Sequence, residues 1–249
     1  MKKVPGTLQD GGACFQTTHW TVVMQSVKNE PSVSAQEALA EFCKSYWPPL
    51  YTFVRRRGYS ASDAQDLVQG FFAHLLSQNT LSRADRDKGR LRTFLLGSFQ
   101  HFLANEYDRA QTLKRGGGSR IVSMSDELTS AEAALVAMSE LDETGCYDQA
   151  WVATLVSRAW ERLEGEYLAE GKATLLQELK PFLLGGTAVP DQEEVAARLK
   201  VPFATMRTLL RRLRQRYRES LRQEVARTVA APSQVDEELR YLHRLLLTG

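Results

Sequence analysis

An apolar period of 3.6 residues runs through this chain and restricts its fold more than any other feature. Segments that each carry one apolar stripe must bury it against one another as packed helices. In DAQDLVQGFFAHLL (63–76) the apolar residues are Ala64, Leu67, Val68, Phe71, Phe72, Leu75 and Leu76, the spacing of a helix with one buried face. The period returns at Leu91, Phe94, Leu95, Phe99, Phe102 and Leu103, then at Trp151, Leu155, Ala159 and Leu163. It returns again at Met206, Leu209, Leu210, Leu213, Tyr217 and Leu221. In the first half of the chain strand-like alternation is weak and β-branched runs are absent. The reading is all-α: two helical domains joined by an acidic flexible linker, the second containing a helix-turn-helix.

Punctuation residues divide the chain. Residues 1–16, with Pro5, Gly6, Gly11 and Gly12, read as a disordered tail. The first domain, 17–115, opens with a short helix holding Trp20, Val23, Met24 and Val27, and a second helix follows over 34–46. Pro48-Pro49 are expected to break it and to start a third helix that ends at the Gly58 turn. The 63–76 helix comes next, with Ser62 and Gln65 as its capping box. A basic loop around 83–89 precedes the long helix from about Leu91. Residues 116–146 open on three glycines and continue acidic and rich in Ser and Ala, as a linker would. In the second domain, 147–232, helices run from Tyr147 and through Leu175, Leu176 and Leu179 to a loop at Gly185-Gly186 and Pro190. A short helix (191–199), a tight turn and a longer helix (203–226) then have the proportions of a helix-turn-helix. A C-terminal helix within 233–249 is expected to pack on the second domain.

The net charge of +2 hides an asymmetry. Residues 83–120 hold nine Lys/Arg against four Asp/Glu, and 203–222 hold seven Arg against one Glu, while 121–200 hold six basic residues against fifteen acidic ones. Two basic blocks around an acidic one point to a polyanionic partner that the acidic stretch would repel. The three cysteines, Cys14, Cys43 and Cys146, show neither metal spacing nor a disulfide framework, in keeping with a reducing cytoplasm. The N-terminus lacks the apolar run of a signal peptide. No stretch approaches the roughly 18 apolar residues of a membrane span, so no membrane partner is expected.

Motifs for catalysis fail at the level of spacing. Around His19, His74, His101 and His243 there is neither Glu-x-x-His nor His-Glu-x-x-His. GEYLAEGKAT (165–174) resembles a phosphate loop only at a glance. Its glycines are one residue too far apart, and Ala173 stands where Ser or Thr would hold magnesium. Asp63 and Asp66 lack a third ligand nearby. The chain is expected to be no enzyme and to use no metal or cofactor.

Signals for nucleic acid are stronger. Arg207, Arg211, Arg214, Arg218 and Arg222 recur at helical spacing on the face opposite the apolar stripe. A merely solvated face would mix signs, and arginine suits phosphate forks and guanine edges. The start of the second helix of a helix-turn-helix enters the major groove. That places Phe203, Thr205, Arg207, Thr208 and Arg211 nearest the bases, with Arg212, Arg214 and Arg218 toward phosphates. In FLANEYDRAQTLKRGGG (102–118), Asn105, Tyr107, Arg109, Lys114 and Arg115 mix amide, ring and charge in the way that suits unpaired bases, while Phe102 reads as core.

These blocks resemble a known family. DAQDLVQGFFAHLL is similar to the polymerase-binding helix of bacterial sigma factors, usually an Asp-Ala-Glu-Asp-Leu-Val-Gln-Glu-x-Phe pattern. GRLRTFLLGSFQHFLANEYDRAQTLKR resembles the helix that melts and reads the minus-ten promoter element, and 191–216 resembles the minus-thirty-five reader. With only two such domains, the pattern is that of an extracytoplasmic-function (ECF) sigma factor of the sigma-seventy family. TTHWTVV, YWPPLY and DEELRYL resemble a large-variant subgroup of it. The resemblance implies that 17–115 binds core RNA polymerase through Asp63, Asp66, Gln69 and Gly70. It implies minus-ten contacts from Arg92, Asn105, Tyr107, Arg109, Lys114 and Arg115, and minus-thirty-five contacts from 147–232. The implied partners are core polymerase, duplex and melted promoter DNA, and an anti-sigma regulator. The alternative is a helix-turn-helix regulator that never touches polymerase; a helical scaffold that sequesters a sigma factor is a more distant one. Three departures stand out: Gly70 where Glu is common, Lys200 where the turn commonly has Gly, and Pro202, Phe203 and Ala204 in place of a polar helix start.

Overall fold

A computed structural model describes residues 33–77, 90–112, 131, 132, 135, 138, 141–184 and 189–248. The expected tail, the helix around Trp20, the 83–89 loop, Lys114 and Arg115 lie outside the described residues. Those that are described contain helices and no strand. The helices are α1 (Val33–Arg56), α2 (Ala61–Ser77), α3 (Leu91–Thr112), α4 (Glu143–Ala169), α5 (Ala173–Leu179), α6 (Pro181–Leu184), α7 (Gln192–Arg198), α8 (Phe203–Thr228) and α9 (Val235–Thr248). A 3-10 turn, Pro232–Gln234, links the last two. No described helix is long and apolar enough to cross a membrane.

Pro48 and Pro49 do not break the chain, contrary to the sequence expectation: α1 runs through both. An interior proline costs about 3 kcal/mol. Here the flanking Tyr46, Trp47, Leu50 and Tyr51 are all buried, and each large apolar side chain stabilises by about 1.5–3 kcal/mol when fully buried. Trp47 and Tyr51 stack with ring centroids 4.8 Å apart, and burial outweighs the lost backbone bonds. The start of α2 also differs. Ser60, not Ser62, makes the cap: its Oγ accepts from the Asp63 N–H at 3.1 Å and donates to Asp63 Oδ2 at 2.7 Å. Along α2, Ala64, Val68, Phe71, Phe72 and Leu75 are buried, while Leu76 at the far end is exposed.

The packing does not divide at residue 147. One core joins α1, α2 and α3 to Tyr147, Trp151, Val152 and Leu155 of α4, Val225 at the far end of α8, and Val235 and Leu242 of α9. The other joins Trp160, Leu163 and Tyr167 of α4 to α5, α7 and the start of α8 through Leu176, Val195, Met206, Leu210 and Leu213. α4 and α8 therefore run antiparallel and belong to both cores. At 27 and 26 residues, each spans roughly 40 Å at 1.5 Å per residue. Ser220 Oγ ties them by donating to the Ala159 carbonyl at 2.8 Å. Beside it the buried Glu224 carboxylate lies among Arg158, Arg162 and Arg227 at 3.4–3.8 Å. α9, expected on the second domain, packs on α4 and α8 and also reaches the start of α3.

The described part of the expected linker is docked. Glu132 accepts from Arg55 Nε at 2.6 Å and from the Tyr51 hydroxyl, and Ala131 is buried in the first core. The reason is electrostatic: an acidic side chain meets the guanidinium that ends α1. Arg55 in turn donates to the Tyr59 carbonyl at 2.6 Å, satisfying the turn after the helix.

Candidate nucleic-acid interface

The arginine face is built at the tip of the second core. Asp191 caps α7: its Oδ1 accepts from the N–H groups of Glu193 at 2.7 Å and Glu194 at 3.3 Å. Val195 and Ala196 then turn inward against Met206 and Leu210. The chain leaves α7 through Lys200 at φ +55°, in the left-handed region, so the turn keeps the shape that glycine would serve and Lys200 bears its strain. The Val201 N–H closes back on the Ala196 carbonyl at 3.0 Å, and Pro202 precedes the first residue of α8.

On α8 the inward positions are filled by Met206, Leu210 and Leu213, which leaves Thr205, Arg207, Thr208, Arg211, Arg212, Arg214 and Arg218 exposed. Arg207, Thr208, Arg211, Arg214 and Arg218 line one groove of about 800 Å³. Gln192, the first residue of α7, closes its side; sequence reasoning missed it, although its place at the head of the short helix was legible. Among the described residues, no acidic one lines this groove. Arg212 and Thr205 lie outside it, and Phe203 belongs to a different surface with Phe182 and Pro190. Two further arginines of α8 are engaged by carboxylates. Arg216 donates to Glu166 at 3.0 Å and Glu170 at 2.7 Å and lies over the Tyr167 ring, while Arg222 meets Asp236 at 2.5 Å. Hydrogen bonds from Arg216 and Lys172 hold the Glu170 carboxyl at about 2, well below the usual 4.5. One helix thus separates arginines held by carboxylates from arginines turned to an acid-free groove.

On α2, Asp63 and Asp66 are exposed and Gln69 is partly so. Asp63 is already used in the cap with Ser60. Gly70, one turn after Asp66, is half-buried, and a Cβ there would be in ordinary van der Waals contact, 3.5 Å, with the Phe102 ring of α3.

The minus-ten set is split. Arg92, the second residue of α3, is 8% exposed and faces inward. Its Nη1 donates to Asp148 at 2.9 Å and its Nε to Glu238 at 3.0 Å, and its guanidinium lies 4.0 Å from the Tyr241 ring centroid. Burial disfavours this charge, yet Glu238, Tyr241 and Asp148 raise its pKa above the ordinary value. In this arrangement Arg92 is engaged by α4 and α9. Asn105 and Tyr107, two residues apart on a helix, point to different grooves. Asn105 lies with Phe71, His74 and His101, whereas Tyr107, 60% exposed, lies with Arg57, Tyr59 and Gln100. The spacing alone shows that i and i+2 do not share a helix face. The side chain of Arg109 lies outside the described residues, as do Lys114 and Arg115.

Compared with family models, curated proteins and solved structures, the chain matches none.

Proposed function

We propose that this chain is a bacterial sigma factor of the extracytoplasmic-function kind: it binds core RNA polymerase, recognises a promoter and opens it. The observation that carries the proposal is the acid-free groove of Arg207, Arg211, Arg214 and Arg218, presented by a long helix that follows a short helix and a turn through Lys200. On this reading α7, the turn and α8 are the helix-turn-helix. Arg207, Thr208 and Arg211 lie toward base edges, with Arg214 and Arg218 toward phosphates. Asp66 and Gln69 would meet basic helices of the polymerase clamp. That contact is small and polar, so it can be released.

Two promoter elements named for positions minus ten and minus thirty-five lie about 25 base pairs, or ~85 Å, apart along B-form DNA. α4 and α8 reach only ~40 Å. Engaging both elements then requires the first core to part, with α9 and the start of α4 leaving α1 and α3. The decisive experiment is retention of the full chain on core polymerase, followed by transcription from a library of promoter fragments. Retention with start-site-specific transcripts supports the reading. Duplex binding without retention would replace it with a helix-turn-helix regulator that acts without polymerase.

A further inference from the structure

We infer that the C-terminal helix α9 is an autoinhibitory clasp: with α4 it holds Arg90 and Arg92, at the start of α3, in a closed form of the chain that a polyanion cannot reach. The inference rests on the proposed function and adds a control to it. α9 opens on three consecutive acidic residues, Asp236, Glu237 and Glu238. A helix N-terminus favours acids through its dipole. That accounts for Asp236 and Glu237, which are exposed and pair with Arg222 and Arg90 at the surface. It does not account for Glu238, which is buried. A carboxylate so buried requires cations beside it. Both of its cations come from the far half of the chain: Arg92 Nε stands at 3.0 Å and Arg90 Nη1 at 2.6 Å. Asp148 of α4 takes Arg92 Nη1 at 2.9 Å. Tyr241, three residues after Glu238, sets its ring beside the same guanidinium and donates its hydroxyl to Asp148.

How α9 is held on its other sides is the second observation. It packs on α4 and α8, with Val235 and Leu242 buried and the Gln149 amide of α4 donating to the Leu245 carbonyl at 2.7 Å. Gln234, in the turn before it, accepts from the Ala230 and Ala231 N–H groups and keeps the α8–α9 connection tight. α9 therefore belongs with α4 and α8, and Glu238 is the charge it extends to the start of α3. A carboxylate and a phosphate suit the same guanidinium fork. Glu238 and Asp148 thus fill the places that two phosphates would take on Arg92 and Arg90. Because Arg92 is buried, phosphates reach it only when α3 parts from α4 and α9. The closed clasp and a polyanion on these two arginines exclude each other, so α9 biases the chain between two states.

The test uses the full chain, a fluorescent random-sequence duplex of about thirty base pairs, or roughly three helical turns, and several salt concentrations. Small-angle X-ray scattering measures compactness beside it. Asp148→Asn/Glu238→Gln removes both carboxylates from Arg92. It should enlarge the radius of gyration, tighten duplex binding roughly three- to ten-fold and steepen the salt slope by up to about 1.8, or 0.9 for each freed arginine. The same variant carrying Arg90→Gln and Arg92→Gln should be as open, with neither the tighter binding nor the steeper slope. Thermal melts check that each variant is folded. If the double variant does not melt cooperatively, Glu238→Gln alone, which leaves Asp148 on Arg92, should give about half the change in slope. Unchanged compactness and slope in a folded variant would reduce α9 to a packing element. An equal steepening with and without the two arginines would show that the clasp does not withhold them. Retention on core polymerase is measured separately: if the clasp behaves as expected and core polymerase is not retained, the clasp stands and the sigma-factor reading falls.

Discussion

Arg92 and Glu238 stand 146 positions apart in the chain, yet Arg92 Nε donates to Glu238 Oε1 at 3.0 Å with both side chains below 10% exposure. Arg90 approaches the other carboxylate oxygen at 2.6 Å, and the Tyr241 hydroxyl donates to Asp148 at 2.7 Å, so no charge in the cluster is alone. This clasp joins α3, α4 and α9. Removing one partner of a buried pair leaves an uncompensated charge. Glu238→Gln should therefore cost about 2–3 kcal/mol, less than a fully orphaned pair because Arg92 retains Asp148. Urea unfolding checks it: the midpoint should fall with the slope unchanged. A change under about 0.5 kcal/mol would place the pair with ordinary surface contacts.

Asp66 carries the polymerase expectation most cleanly, because it is exposed and takes no part in the Ser60–Asp63 cap. Asp66→Lys should change stability by roughly 0.5 kcal/mol or less and markedly weaken retention on core polymerase. Ser60→Ala, by contrast, should lower stability by about 1 kcal/mol through loss of the cap. Full retention of Asp66→Lys would remove α2 from the docking surface.

The helices were legible because burial has a period. Phe71, Phe99, Trp151 and Met206 stand where the apolar stripes put them. What was not legible depended on partners distant in sequence. Arg92 reads as one more cation of a basic block, and nothing near it announces Asp148 and Glu238. Pro48-Pro49 read as a break because the cost of a proline is local while the burial that offsets it comes from α4. The contact of Gly70 with Phe102 was not legible either, because the two lie on different helices. The arginine groove was legible as a stripe, since 207, 211, 214 and 218 share a face. Gln192 enters that groove from another helix, which no single-helix pattern reveals.

Lys200 is the one described non-glycine residue at positive φ. A side chain in the left-handed region costs about 1–2 kcal/mol, and glycine recovers most of this while adding freedom to the unfolded chain. Lys200→Gly should raise stability by up to about 1 kcal/mol. Lys200→Val should lower it by more than 1 kcal/mol, because a β-branched residue fits that region worst. Equal melting temperatures for Lys200→Gly and Lys200→Val would show that the turn rearranges rather than bearing strain.

Glu170 gives a pH signature. Its carboxyl titrates at about 2 instead of 4.5, chiefly through Arg216 and also through Lys172. A depressed carboxylate contributes stability that is fully present above the unfolded value and is lost as pH falls through the folded one. The contact should therefore persist below pH 4.5 and disappear only near pH 2. Carboxyl-carbon NMR should find a midpoint near 2 for Glu170, moving up toward 4.5 in Arg216→Gln. An ordinary midpoint in the unaltered protein would mean that this exposed pair is broken in solution.

Arg207 and Arg218 lie in one groove three turns apart, and on the proposed function the separation gives them different work. Arg207 stands in the second turn of α8, where a helix entering a major groove touches base edges. On the proposed function, Arg218 stands where the same helix would have left the groove floor and would pass the phosphates. Arg207→Ala should cost about 1–3 kcal/mol on the preferred sequence and relax choice at one position. Arg218→Ala should weaken all sequences alike and lower the salt slope by about one counterion. Arg222→Ala is the internal control: its guanidinium is already held by Asp236, so its loss should leave both specificity and salt slope unchanged. Selection of duplexes from a random library at two salt concentrations measures all three. An unchanged preferred site in Arg207→Ala, with an unchanged slope in Arg218→Ala, would mean that the groove does not face DNA.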